Sequence, residues 1–175
     1  MNKTIIYIGG YQSGGHKSSY FSNKLECDFV SFTPDYDNEN PKDIRQKIID
    51  SIDYATEKGH KVEVIGSSTG GMTALLLSAK YNLAMYLINP LISKEHFFDQ
   101  NHPVGPSLKP LSEIILNQDY DNNNIKIFLG ENDDLLNPEY TKKFAASKNI
   151  EVISFVGDHA GNESLDLIIN CIKNN

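Results

Sequence analysis

The chain of 175 residues carries 23 acidic against 16 basic side chains, a formal charge of −7, and no basic block offsets that balance, which argues against a nucleic-acid partner. Nine tyrosines and eight phenylalanines in a composition that is 39% hydrophobic argue against disorder and suffice for one domain, residues 1–175, with its own core. No run reaches membrane-spanning length, and Met1-Asn2-Lys3 opens on a brief β-rich run without a secretory signature. Cys27 and Cys171 lack metal-ligand spacing, so the expectation is a protein of the reducing cytoplasm with no membrane insertion and no metal.

The first strand is expected at Thr4-Ile5-Ile6-Tyr7-Ile8, ended by Gly9-Gly10, with a polar loop to Lys17 and a short helix over 18–24. Residues 28–33 form a second strand candidate stopped by Pro34. Asn40-Pro41 pairs an N-cap with proline at the first helical position, and Ile44, Ile48, Ile52 and Ala55 line one face of the helix that follows. Gly59 ends it. A strand at Val62-Glu63-Val64-Ile65 leads into a helix expected over 72–81, where Met72, Leu75, Leu76 and Ala79 recur at helical spacing. Residues 83–88 make another apolar run, closed by Asn89-Pro90.

Residues 91–124 differ in character. They are rich in Asn, Asp, Pro and Ser, with a helical face only over 108–116, and read as a short cap-like excursion over the sheet. The strand pattern resumes at 125–129, Asn137-Pro138 opens a helix, and 150–156 gives a last strand. Asn162 is expected to cap a final helix whose inner face is Leu165, Ile168, Ile169 and Ile172. Nearly continuous apolar strands alternating with amphipathic helices predict a mostly parallel six-stranded sheet covered on both faces, a three-layer α/β/α sandwich.

The chemistry concentrates in Ile65-Gly66-Ser67-Ser68-Thr69-Gly70-Gly71, a G-x-S-x-G sequence between a strand and a helix. In that context the motif is a nucleophile elbow: Gly66 and Gly70 admit the tight turn and Ser68 projects its hydroxyl. A serine hydroxyl needs a base, and His159, just past the last strand, is the best placed. His60, at the opposite edge, and His96 and His102, in the excursion, are expected to anchor loops or face solvent. The imidazole in turn needs a carboxylate. Asp133 is the first choice, at the end of a strand, with Asp134 as the alternative acid and Glu131 open as well. Asp158 adjoins the base too closely to reach its far nitrogen. The oxyanion hole is expected from the backbone N–H groups of Thr69 and Tyr11.

These segments, together with Ile6-Tyr7-Ile8-Gly9-Gly10-Tyr11 and Tyr86-Leu87-Ile88-Asn89-Pro90, resemble the α/β-hydrolase superfamily, and more closely its small bacterial YqiA/YcfP-like esterases. The resemblance covers nearly the whole chain. It implies Ser68 as nucleophile, His159 as base and Asp133 as acid in a compact α/β-hydrolase fold without a large lid. The implied activity is hydrolysis of a carboxylic ester or thioester without a cofactor. Such relatives carry His-Gly after the first strand where this chain has Gly9-Gly10, so the oxyanion loop is expected to be looser or the mouth wider.

Two further readings compete. Gly10-Tyr11-Gln12-Ser13-Gly14-Gly15-His16-Lys17-Ser18 suggests a P-loop, but His16 separates the lysine from the last glycine, and Lys17 is expected to be a solvated loop residue. The altered oxyanion loop also fits a weak or inactive member of the fold that binds a metabolite or protein. For the enzyme, the hydrophilic excursion predicts short acyl esters or thioesters in preference to long-chain lipids.

Overall fold

The computed structural model describes residues 2–78, 80–102, 109–120 and 124–174. Six strands, β1 (Lys3–Ile8), β2 (Asp28–Phe32), β3 (Lys61–Ser67), β4 (Ala84–Ile88), β5 (Ile125–Gly130) and β6 (Glu151–Phe155), form one sheet in the order β2-β1-β3-β4-β5-β6. Every neighbouring pair is parallel. Six helices, α1 (His16–Lys24), α2 (Pro41–Glu57), α3 (Thr69–Leu77), α4 (Lys109–Asn117), α5 (Pro138–Ser147) and α6 (Leu165–Lys173), cover it.

Side chains alternate across each strand and so divide between two cores. Ile6, Ile8, Val62, Val64, Met85 and Leu87 face a larger core with α2, α3 and α5. Ile5, Tyr7, Ile65, Tyr86, Ile88 and Phe128 face a smaller one, closed by Phe21 and Leu25 on the α1 side and by Leu165, Ile168, Ile169 and Ile172 of α6. Central strands buried on both faces are what the continuous apolar runs encode.

Local rules account for most boundaries. Asn40 and Asn137 each accept an N–H two residues on, from Lys42 (2.9 Å) and Glu139 (3.0 Å), with proline at the start of the helix. Gly59 takes φ 74° past the end of α2. Three expectations need correction. Helix α3 stops at Leu77, before the expected residue 81. Asn162 does not cap the last helix: it begins a 3-10 turn over Asn162–Ser164 that leads into α6.

The third concerns residues 91–124, whose first part is core. Leu91, Ile92, His96 and Phe97 are buried, and Phe97 pairs with Leu136 in an antiparallel bridge. Spacing gives no sign of this because the segment packs through loops around a single 3-10 turn, Lys94–His96, with no α or β period. Farther on, α4 buries Ile115 and leaves Ile114 exposed. Ala79 and Leu108, both assigned to helical faces from their spacing, lie outside the described residues. Among the described residues no helix is long and apolar enough to cross a membrane.

Candidate active site

The strand order dictates where a ligand would sit. From β1 the chain moves outward to β2, then crosses back to place β3 on the other side of β1. The loops leaving the carboxyl ends of β1 and β3 therefore diverge and open a crevice there. Ser68 stands at this point, between β3 and α3.

Its backbone is strained, with φ 52° and ψ −117° in a non-glycine residue. The turn persists because its surroundings enforce it. The Ser68 N–H donates to Ile88 O (2.9 Å), and Ser68 O accepts the N–H groups of Gly71 (2.9 Å) and Leu91 (3.1 Å). A Cβ on Gly70 would lie 2.1 Å from Ile8 O, and one on Gly66 2.8 Å from Gly70 O, so both positions need glycine for β1, β3 and α3 to meet. A Cβ on Gly10 would lie 2.9 Å from that of Ser68. The loop after β1 thus lies directly against the elbow.

His159 Nε2 is 3.0 Å from Ser68 Oγ, and its Nδ1 is 2.8 Å from Asp133 Oδ2. Asp133 is buried, and its other oxygen accepts the N–H groups of Leu135 (2.9 Å) and Leu136 (2.8 Å). The carboxylate is thereby aimed at the ring, and Nδ1–H donation to it leaves Nε2 free to accept from the serine hydroxyl. Asp134 and Glu131 are exposed. Asp158 is turned away, its Oδ1 taking the Ala160 N–H (2.8 Å).

Among the described residues, the N–H groups of Tyr11 and Thr69 have no hydrogen-bond partner. Both residues line a cavity of about 350 Å3 that also includes Ser68 and His159. The Tyr11 hydroxyl points elsewhere, donating to Asp37 (2.9 Å). The loop at Gly9-Gly10 is not loose. Gly9 N–H donates to Phe32 O (2.8 Å), and Gly9 O accepts from the Tyr36 hydroxyl (2.9 Å), a phenol that burial keeps protonated. A side chain at position 9 would begin 3.0 Å from Ser13 Cβ, so Tyr36 anchors this loop without a neighbouring imidazole.

Asn89 holds the other side of the site. Buried after β4 with φ 40°, it donates to the carbonyls of Asp158 (2.9 Å) and His159 (3.1 Å), and its Oδ1 accepts the Gly130 N–H (2.7 Å). One amide thus ties the histidine loop to the strand that leads to Asp133. In the sequence Asn89 stands out as part of a strand-ending Asn-Pro and of a segment that carries the resemblance, without a role of its own; an amide poised for left-handed backbone is the available signal.

The remaining histidines separate. His60 bonds Thr4 Oγ1 (2.8 Å) at the opposite end of the sheet. His96 is buried between Ile92 N–H (3.3 Å) and Thr141 Oγ1 (2.8 Å), and burial lowers its pKa to about 4. His102 stacks on Phe97, with ring centroids 4.4 Å apart, and lines the cavity. Lys17 lines it too, half-buried in the first turn of α1, and is not the solvated loop residue its context suggested. Among the described residues no group of three or more His, Cys, Asp or Glu could hold a metal ion.

A doubly wound parallel sheet with a strained serine elbow at its switch point defines the α/β-hydrolase fold. The model of the uncharacterised protein family UPF0227 matches residues 4–162, and the chain belongs to that family, in keeping with the YqiA-like resemblance of its motifs. No curated protein matches the chain significantly in sequence. Among solved structures, it is similar to Est1E from Butyrivibrio proteoclasticus at 16% identity, covering 99% of this chain and 86% of that one with a TM-score of 0.70. The Pyrococcus furiosus esterase Pf2001 is 18% identical, with coverages of 99% and 83% and a TM-score of 0.69. The ydeN gene product of B. subtilis is 13% identical, with coverages of 99% and 98% and a TM-score of 0.63. At such identities the likeness is one of fold.

Proposed function

We propose that this protein is a serine hydrolase that cleaves small carboxylic esters or thioesters through an acyl-enzyme at Ser68. The observation that carries this reading is the continuous relay from Ser68 Oγ through both ring nitrogens of His159 to Asp133, at 3.0 Å and 2.8 Å. Esterases among the proteins of similar fold support the class.

In the proposed cycle Ser68 Oγ attacks the acyl carbon as its proton passes to His159 Nε2. The carbonyl oxygen becomes an oxyanion that receives the N–H groups of Tyr11 and Thr69, a contact worth about 3 kcal/mol per donor in such sites. Collapse breaks the bond to the leaving oxygen or sulfur, which departs with the proton from Nε2. Water then loses a proton to His159 and attacks the acyl-enzyme. Collapse of the second oxyanion returns that proton to Ser68 and releases the acid. Asp133 stays ionised throughout and steadies the imidazolium.

The test is turnover of acetyl and butyryl esters and thioesters by wild type and Ser68→Ala, with fluorophosphonate labelling of both. Wild type should turn over and label at Ser68, and a folded Ser68→Ala should do neither. Undiminished turnover by Ser68→Ala would sink the mechanism. A native protein that neither labels nor turns over would instead be a binding module on a hydrolase fold.

A further inference from the structure

The cavity above Ser68 has two unlike walls. Tyr11, Phe97 and Leu135 belong to the side of the larger core and make one wall apolar, with the His102 ring stacked on Phe97. Opposite them, on the α1 and α6 side of the sheet, stand Ser13, His16, Lys17 and Asn162. Among the described residues no Asp or Glu lines the cavity, although the chain as a whole carries a formal charge of −7.

Among the described residues Lys17 is the one lysine or arginine in that lining. Among the described residues its ammonium forms neither an ion pair nor a hydrogen bond. Burial lowers its pKa, against a smaller opposing pull from Asp158, whose Oδ1 is already engaged by the Ala160 N–H. A half-buried, unpaired ammonium is costly and gains by meeting an anion. The start of α1 adds to the positive character of this wall: its N-cap is Gly15, with no capping side chain, and its first turn contains no acidic residue. A cleft of one sign within a protein of the other focuses the field on its ligand.

We infer that Lys17 forms an anion subsite beside Ser68, and that the substrate is an acyl ester or thioester carrying a carboxylate or phosphate near the scissile bond. This rests on the acyl-transfer reading of Ser68. It deepens that reading by dividing the substrate into a short apolar part against Phe97 and Leu135 and an anionic part against Lys17. The glycine-rich loop from Gly10 to Gly15 accordingly brings Lys17 to the mouth of the crevice, where it serves an acyl substrate and not a nucleotide.

The experiment compares esters that differ in one charge, by pH-stat. Monoethyl glutarate against ethyl pentanoate puts the carboxylate on the acyl side. Carboxymethyl butyrate and 2-phosphoethyl butyrate against propyl butyrate put a carboxylate or a phosphate on the leaving side. Wild type should favour the charged member of at least one pair in kcat/KM, and Lys17→Met should lower that charged-to-neutral ratio about 10- to 100-fold, the range of a charge-assisted contact. A wild type with no preference for any charged member overturns the inference. So does a Lys17→Met variant that slows both members equally, since Lys17 would then act on the transition state of every substrate.

Binding separates failure of the subsite from failure of the hydrolase reading. Monoethyl glutarate and ethyl pentanoate are titrated calorimetrically into Ser68→Ala and into Ser68→Ala with Lys17→Met. Loss of preferential binding of the charged ester in the double variant upholds the anion subsite even if wild type hydrolyses nothing. Equal binding of both esters by Ser68→Ala overturns it for the acyl-side carboxylate, and the same titration with the two charged leaving-side esters against propyl butyrate decides the rest.

Discussion

Asp133 and Asp134 are adjacent in sequence but differ wholly in surroundings. The first is buried, with one oxygen on two backbone N–H groups and the other on His159, while the second faces water. Replacing Asp133 with Asn keeps the shape but removes the charge and disturbs the ring tautomer, so turnover should fall about 10⁴-fold. Asp134→Asn should stay within a few-fold of wild type, and kcat/KM of both variants on a butyryl ester checks the ranking. Asn89 offers a second test. Asn89→Ala strands the Gly130 N–H and removes the donor to the carbonyls of Asp158 and His159. Its stability should drop by about 3 kcal/mol, with kcat lowered more than tenfold and KM little changed. Urea unfolding and steady-state kinetics measure the two effects, and an unaltered kcat would dismiss Asn89 as a positioning residue.

The irregular segment before α4 is tied to α5 through His96. Its Nδ1 accepts the Ile92 N–H and its Nε2–H donates to Thr141 Oγ1, which requires a neutral ring. Burial lowers its pKa to about 4; Asp133 and a backbone hydrogen bond at Asn137 oppose the shift and His159 adds to it. An unfolded chain protonates this residue near pH 6.5, so between pH 6.5 and 4 the unfolded state holds the extra proton. The contribution of His96 is therefore complete above pH 6.5 and is lost as pH falls towards 4. Urea unfolding at pH 7.5 and 4.5 should show wild type losing roughly 2–3 kcal/mol more than His96→Gln. Equal losses would mean that His96 takes up its proton in the fold as readily as in the unfolded chain.

Seen whole, the molecule sets Ser68 and His159 where two loops part at the β1–β3 switch point, over a cavity of about 350 Å3. That volume lies at the lower end for small-molecule sites. Its apolar wall is short, and each further methylene gains about 0.8 kcal/mol only while there is apolar surface to receive it. In an ester series from acetyl to dodecanoyl, kcat/KM should rise over the first few carbons and then level or fall. A steep continuous rise to the longest chain would contradict the short-acyl reading.

The six strands, the caps at Asn40 and Asn137 and the serine elbow were legible in the chain because each depends on residues within a few positions of one another. The side of α6 that turns inward was legible for the same reason. Only tertiary structure sets Asp133, and not Asp134, against His159, which arrives from 26 residues away. It also tied Tyr36 to Gly9, spread the Asn89 amide across two loops, and packed Leu91 and Phe97 into the core without a regular period. Lys17 shows the same limit: the loop composition suggests a solvated side chain, while its burial comes from walls built by distant segments. Short-range pattern determines elements, but partners and desolvation are set by contacts between residues far apart in sequence.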